Sequence, residues 1–308
     1  MINKDSKIYI AGHNGMVGSA CWRLLESEGY FNLVGKSSIE LDLRNQSAVE
    51  KFFRKEKPSV VIDAAARVGG IWANNKYQYE FLIDNLLIQN NLIKTSLENN
   101  VNKFIFLGSS CIYPKMAPQP IKEEYLLTSS LEQSNQWYAI AKITGIKLIE
   151  SIRNQYNKDY VCLMPTNLFG PGDNYDLKTS HVLPALIRKF VEAKQKKLNE
   201  VSIWGSGTPL REFLHVDDLA SAVLFSLRNK LSESIYNIGS GDELSIKKLS
   251  NMIGRITSFK GEIVFDHSMP DGTPRKLLDR SRMNKLGWIK KIALEEGIKK
   301  TIENYIEC

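Results

Sequence analysis

Tyr138 and Lys142 stand four residues apart in "YAIAK". That spacing stacks both side chains on one face of a helix. An ammonium beside a phenol favours the phenolate and draws its pKa towards working pH, so the pair suits proton transfer to a carbonyl oxygen. The same lysine can hold a ribose. Ser109, in "LGSS" at the end of an apolar run, offers a hydroxyl to polarise the same carbonyl. Cys111 follows in "GSSCIYP", and His181 opens the run "HVLPALIRKF". Alone, a cysteine is often a small buried hydrophobe and a histidine is often structural. Together they suit a second task. A carbon beside a ketone carries an acidic proton, and inverting it needs a base on one face and an acid on the other. A thiolate and an imidazolium have pKa values suited to that exchange.

A glycine loop points to the other reactant. Gly12-His13-Asn14-Gly15-Met16-Val17-Gly18 follows the first apolar run and leads into helical spacing. Glycines there let backbone approach a pyrophosphate at a helix N-terminus, where amides and the dipole favour anions. The loop lies in a β-α-β unit, the context this motif requires. An NAD site usually adds an acid after the second strand. "NLVGKSS" has none, and its Lys36, Ser37 and Ser38 suit the extra phosphate of NADP. A solvent-exposed strand end is the other reading of Lys36.

The elements that must position these residues alternate. Apolar runs at Lys7 to Ala11, Asn32 to Lys36, Ser59 to Ala65, Lys103 to Leu107 and Tyr160 to Pro165 read as strands. Helical spacing covers Met16 to Glu28, Gln46 to Lys57, Phe81 to Asn99 and Tyr138 to Tyr156. Such alternation predicts a doubly wound α/β fold, a parallel sheet covered on both faces. After about residue 166 the alternation weakens. Helical stretches at His181 to Lys194, Asp217 to Leu227 and Ser245 to Ile256 mix with short strands. We expect a dinucleotide-binding domain over residues 1–166. Residues 167–308 are expected to form a smaller α/β substrate lobe, with some elements returning to the first domain.

Composition excludes several classes. With 308 residues, 43% hydrophobic and 24% charged, the chain is an ordinary globular protein of about two domains. Cys21, Cys111, Cys162 and Cys308 are scattered, with no C-x-x-C pair for a zinc ribbon, and no metal site is expected. The net charge of +7 favours anionic partners in general. The densest basic run, Lys194 to Lys197, has no interleaved aromatic residues, so nucleic acid is not expected. No apolar run reaches the eighteen or so residues of a membrane span. No export signal is legible, and with free thiols this points to the cytoplasm.

Ser–Tyr–Lys behind a glycine loop resembles the short-chain dehydrogenase/reductase family, in its extended, sugar-nucleotide branch. "IAGHNGMVGSA", "AAARVGGIWANN", "FLGSSCIYPK", "MPTNLFGPGDN", "WGSGTPLREFLHVDDLA" and "PDGTPRKLLD" narrow it further. In order, and over nearly the whole chain, they resemble the GDP-L-fucose synthase family. That resemblance implies a homodimeric, NADPH-dependent 3,5-epimerase and 4-reductase that turns GDP-4-keto-6-deoxy-D-mannose into GDP-L-fucose. It implies Tyr138 as proton donor, Lys142 as its partner and ribose holder, and Ser109 on the carbonyl. Cys111 would be the epimerisation base and His181 the acid. Gly12, Asn14, Gly15, Met16, Val17 and Gly18 would line the cofactor, with Lys36 and Ser38 at its 2′-phosphate. Leu107, Gly108, Ser110 and His181 would also line the cofactor, and Pro165, Thr166, Asn167 and Leu168 would contact its nicotinamide end. Lys189, Trp204, Arg211 and Asp271 would hold the GDP-sugar. A guanidinium at Arg211 matches a diphosphate bidentately. The residues alone also allow an ion pair of Arg211 with Asp217 or Asp218, and a core position for Trp204.

The chain departs from that family at four places. The family often has arginine where Asn14 and Ser38 stand, and commonly a second arginine where Lys189 stands. Trp137, just before the tyrosine, is unusual for the family, and a bulky ring there would reshape the sugar pocket. These departures leave room for another GDP-4-keto sugar, such as a colitose or heptose precursor. A 4-epimerase that retains NAD, a 4,6-dehydratase and a non-catalytic NADP-binding regulator are the other readings. "GSSCIYP" lacks the carboxylate a dehydratase needs, and the intact tyrosine and lysine speak against the regulator.

Overall fold

A computed structural model describes residues 2–269 and 271–307. Cys308 and the Pro270 of "PDGTP" lie outside the described residues. The first half alternates strand and helix. It comprises β1 (Ile8–Ala11), α1 (Met16–Ser27), β2 (Leu33–Val34), α2 (Gln46–Glu56), β3 (Val60–Asp63), α3 (Ile71–Lys76), α4 (Gln78–Glu98), β4 (Lys103–Leu107), α5 (Gln136–Tyr156) and β5 (Asp159–Pro165). The second half holds β6 (Asn167–Phe169), α6 (Val182–Gln195), β7 (Glu200–Trp204), β8 (Leu210–His215), α7 (Val216–Arg228), β9 (Ile235–Ile238), β10 (Glu243–Ser245), α8 (Ile246–Thr257), β11 (Glu262–Asp266), β12 (Arg275–Lys276), α9 (Ser281–Leu286) and α10 (Leu294–Glu307).

Six strands form one sheet in the order β2-β1-β3-β4-β5-β9, every neighbour parallel. β1, β3 and β4 are buried along their whole length, as a sheet covered on both faces requires. One face packs Ile8, Ile10, Ile62 and Ile105 against α1 and α7. The other packs Tyr9, Val61, Phe104 and Phe106 under α4 and α5. The doubly wound fold expected from the alternation is thus present. Residues 216–238 return to this sheet: β9 pairs with β5, and α7 lies beside α1.

Apart from α9, which packs on β9 of the main sheet, the remaining second-half elements build a smaller body around β8, which pairs with β6, β10 and β12. A separate pair joins β7 to β11. Their core is Phe190, Val201, Phe213, Leu249 and Ile298. β2 is two residues long, shorter than the five expected, because Gly35 already lies against the His13 ring. No helix among the described residues is long and apolar enough to cross a membrane.

Candidate active site

The order of strands reverses at β1, with β2 on one side and β3 on the other. Ligands bind outside the carboxyl ends of strands at such a switch point. The glycine loop opens there. Gly12 has φ +77°, and a Cβ on it would lie 2.8 Å from the Ala64 carbonyl oxygen. A Cβ on Gly18 would overlap the Gly12 carbonyl. These glycines therefore let α1 start tight against β1 and β3. Gly15 caps α1 without any side-chain bond, and Asn14 and Gly15 are exposed. The first-turn amides of α1 face the crevice unoccupied by side chains, which suits a diphosphate.

The proton-transfer groups gather at the carboxyl end of β4. Ser109 caps the short turn Ser110–Ile112, and the Cys111 amide donates to its Oγ at 3.3 Å. Tyr138 and Lys142 reach this point from α5, one turn apart. The Lys142 amine donates to the Leu107 carbonyl at 2.9 Å and lies 5.8 Å from the Tyr138 ring centroid. The tyrosine ring packs edge-on against Phe81 at 6.4 Å. On α4, Gln89 donates to the Ala141 carbonyl at 2.6 Å, locking the two helices together.

Burial sets the resting protonation. Desolvation, with smaller contributions from Cys111 and Asp63, raises the Tyr138 phenol well above its ordinary value. Desolvation lowers Lys142, and Asp63 and then Cys111 oppose it. Burial raises the Cys111 thiol, while Lys276 and the Ser109 hydroxyl pull it down. His181 caps α6 and is solvent-accessible, yet crowding by protein and then the Lys276 charge lower its imidazole pKa. Tyr138, Lys142, Ser109 and Cys111 are brought together as expected.

Lys276, on β12, escaped the sequence reading. It acts electrostatically on Cys111, His181 and Arg211, and burial lowers its own pKa. In sequence it is one lysine in "PRKLLD", with no spacing that marks it.

The residues expected to line the cofactor beyond the glycine loop follow the strand ends. Leu107 and Gly108 close β4, and the Gly108 amide donates to the Leu163 carbonyl at 2.9 Å. Pro165 ends β5. Thr166 and Asn167 both donate side-chain bonds to the Glu212 carbonyl, at 3.2 and 2.9 Å, which fixes Leu168 and β6 against β8. At the other end, Lys36 forms an ion pair with Glu40 at 2.9 Å. The Ser37 amide and hydroxyl also donate to Glu40, and Ser38 is exposed. Lys36 is thus no free cation; Glu40 occupies it.

The groups expected to hold the GDP-sugar lie on the second body. Lys189 donates to the Ser202 carbonyl at 2.8 Å and its amine is 6.0 Å from the Trp204 ring centroid. Trp204 is 54% exposed, which removes the core reading. Arg211 donates to its neighbouring Leu210 carbonyl and feels the charge of Asp271. Asp271 accepts the Ser206 amide at 2.9 Å and its hydroxyl at 2.7 Å. Asp217 pairs with Arg23 and Asp218 accepts the amides of Lys291 and Ile292, so neither holds Arg211. No cluster of His, Cys, Asp and Glu able to hold a metal ion occurs among the described residues.

Several known proteins resemble this chain over nearly its whole length. GDP-L-fucose synthase 1 of Arabidopsis thaliana is 52% identical over 307 residues, spanning 100% of this chain and 95% of that protein. The GDP-L-fucose synthase of Escherichia coli K12 is 48% identical over 312 residues, spanning 98% of this chain and 97% of that protein. A solved GDP-mannoheptose C4 reductase from Campylobacter jejuni, with NADP bound, is 40% identical with a TM-score of 0.91, covering 99% of this chain and 100% of that one. Residues 8–239 match the profile of one family across the loop, the serine turn and the tyrosine helix. The chain belongs to the NAD dependent epimerase/dehydratase family.

Proposed function

We propose that the protein is a 3,5-epimerase and NADPH-dependent 4-reductase that converts GDP-4-keto-6-deoxy-D-mannose to GDP-L-fucose. The observation that carries this reading is the meeting of two kinds of group at one strand end. Tyr138, Lys142 and Ser109 serve a ketone, and Cys111 stands within electrostatic reach of Tyr138 and Lys142. His181 shares the influence of Lys276 with Cys111. Relatives about 50% identical over their full length carry the same activity in their names.

Cys111, once ionised, takes a proton from carbon 3 or carbon 5, and His181 returns one from the opposite face. Ser109 holds the 4-oxygen throughout, so the enolate charge has a donor beside it. NADPH, when bound, supplies the hydride that reduces carbon 4. Tyr138 gives its proton to the 4-oxygen, and Lys142 holds the resulting phenolate. Gly12, Gly15 and Gly18 leave room for the cofactor diphosphate. Residues 1–166 with α7 and β9 would carry the cofactor, and the rest of 167–308 the GDP through Lys189, Trp204, Arg211 and Asp271. A homodimer through α4 and α5, located in the cytoplasm, completes the proposal; light scattering on the purified chain tests the dimer.

Turnover of the keto sugar with NADPH in heavy water tests the chemistry. Deuterium at carbons 3 and 5 with an L-fuco product is expected. NADPH consumption without deuterium would leave a plain 4-reductase, the activity named for the heptose enzyme of similar structure. Cys111 and His181 would then be structural. No consumption with this sugar would overturn the assignment.

A further inference from the structure

Asp63 is the last residue of β3, the only acid in the run "VVID". Its Cα stands opposite Ala11 on β1 and Phe106 on β4. Residues paired in this way share a sheet face. The face is the apolar one of Tyr9, Val61, Phe104 and Phe106, under α4 and α5. Asp63 is 1% exposed. One carboxylate oxygen accepts the Ala65 amide at 3.2 Å; the other is buried and accepts nothing.

Lys142 descends from α5 into the same layer. It is 2% exposed, and its amine lies 4.6 Å from the centroid of the Phe106 ring, the ring opposite Asp63 in register. It spends one donor on Leu107 and has two more. No ion pair within 4.0 Å joins Lys142 and Asp63. Each is nevertheless the strongest charge acting on the other.

We propose that Asp63 is a positioning residue for the reduction: its carboxylate is the standing counter-charge that keeps Lys142 an ammonium, ready for the phenolate that Tyr138 becomes. The proposal rests on the reductase reading above. A buried ammonium without a counter-ion sheds its proton. The other titratable groups facing this layer are Tyr9 on β1, Cys111 and Tyr113 after β4, Tyr160 and Cys162 on β5 and Tyr138 itself. Burial raises all six, so at neutral pH they are uncharged. Asp63, pushed by burial up to about 6, remains the anion above that pH. A reductase needs its tyrosine to arrive with a proton. Burial, aided by Cys111 and Asp63, holds that proton at rest, and the charged Lys142 is what meets the phenolate once the proton has gone. Removing the negative charge lowers the pKa of Tyr138 and of Lys142 together.

Asp63→Asn keeps the shape and the acceptor for Ala65, and Asp63→Ser is a smaller replacement should the amide disturb folding. Lysine labelled with 13C and 15N reports the Lys142 amine by NMR in the full chain with NADP bound, assigned by its loss in Lys142→Met. The amine in the Asp63 variants should lose its proton about one pH unit lower or more. The alkaline limb of NADPH-dependent sugar reduction should move down equally, with the plateau rate kept within a few-fold. An unchanged lysine titration in a folded variant overturns the proposal. A wild-type protein that reduces no GDP-keto sugar would sink the reductase reading, while the lysine titration still decides whether Asp63 is the counter-charge.

Discussion

The Lys142 amine donates to the Leu107 carbonyl at 2.9 Å. That single bond ties the helix bearing Tyr138 to the strand end bearing Ser109. Proton donor and carbonyl polariser therefore hold a fixed relation before any ligand arrives. Cys111 is fixed to the same point by its amide bond to Ser109. Two chemistries thus share one anchor, and they should be separable by substitution.

Tyr138→Phe removes only the phenolic proton. Reduction should fall by about a hundredfold or more, the usual worth of a positioned acid. Exchange of the carbon 3 and carbon 5 protons into heavy water should persist. Cys111→Ser should reverse the pattern, losing exchange while NADPH and sugar still bind. Mass analysis of recovered sugar distinguishes the two. Equal loss of both activities in both variants would show a single shared role.

Lys276 lowers the Cys111 pKa against burial. Lys276→Met removes the charge and keeps the stem. The thiolate should then form at higher pH, so alkylation of Cys111 by iodoacetamide should slow several-fold at pH 8. Its pH profile should shift upward. Cys21 and Cys162 are buried with raised thiols, and a Cys308→Ser background removes the fourth thiol, so the reading belongs to Cys111. An unshifted profile would remove Lys276 from the proton chemistry.

Much of this site was legible because its signals are local. Tyr138 and Lys142 are one helical turn apart, and Gly12, Gly15 and Gly18 sit on one turn. Lys276 and Asp63 were not legible. Each belongs to the site only through strand register: β12 beside β8, and β3 between β1 and β4. An aspartate closing an apolar strand reads as the polar end of that strand. Likewise β9 lies some seventy residues beyond its neighbour β5 in sequence, so its return to the sheet follows from packing and not from periodicity.

Lys36 meets Glu40 where a cofactor 2′-phosphate is proposed to lie. Glu40 is held ionised, down to about 2, first by the Lys36 bond and then by Ser37. The carboxylate therefore competes with the phosphate for the same donors. Lys36→Met should raise the KM for NADPH about tenfold and leave NADH unchanged. Glu40→Gln should lower the KM for NADPH, because it frees the cation and removes a repelling charge. A parallel change for both cofactors would place the pair away from the 2′-phosphate.

Asp173, in the loop after β6, gives a stability prediction with a definite sign. Burial pushes its carboxyl up to about 7, opposed only by a bond from the Asn174 amide. A raised carboxyl is ionised in the unfolded chain at lower pH than in the folded one. Below about pH 4 both states hold the proton and the folded state carries no penalty. As pH rises towards 7 the unfolded state alone ionises, and stability drains away until the folded pKa is passed. Asp173→Asn keeps the acceptor and never ionises. It should be more stable than the wild type at pH 8 by about 2 kcal/mol, a discounted figure for a half-buried group. That advantage should vanish at pH 4. Urea unfolding of the ligand-free protein at the two pH values checks it, and an equal difference at both would place the effect outside ionisation.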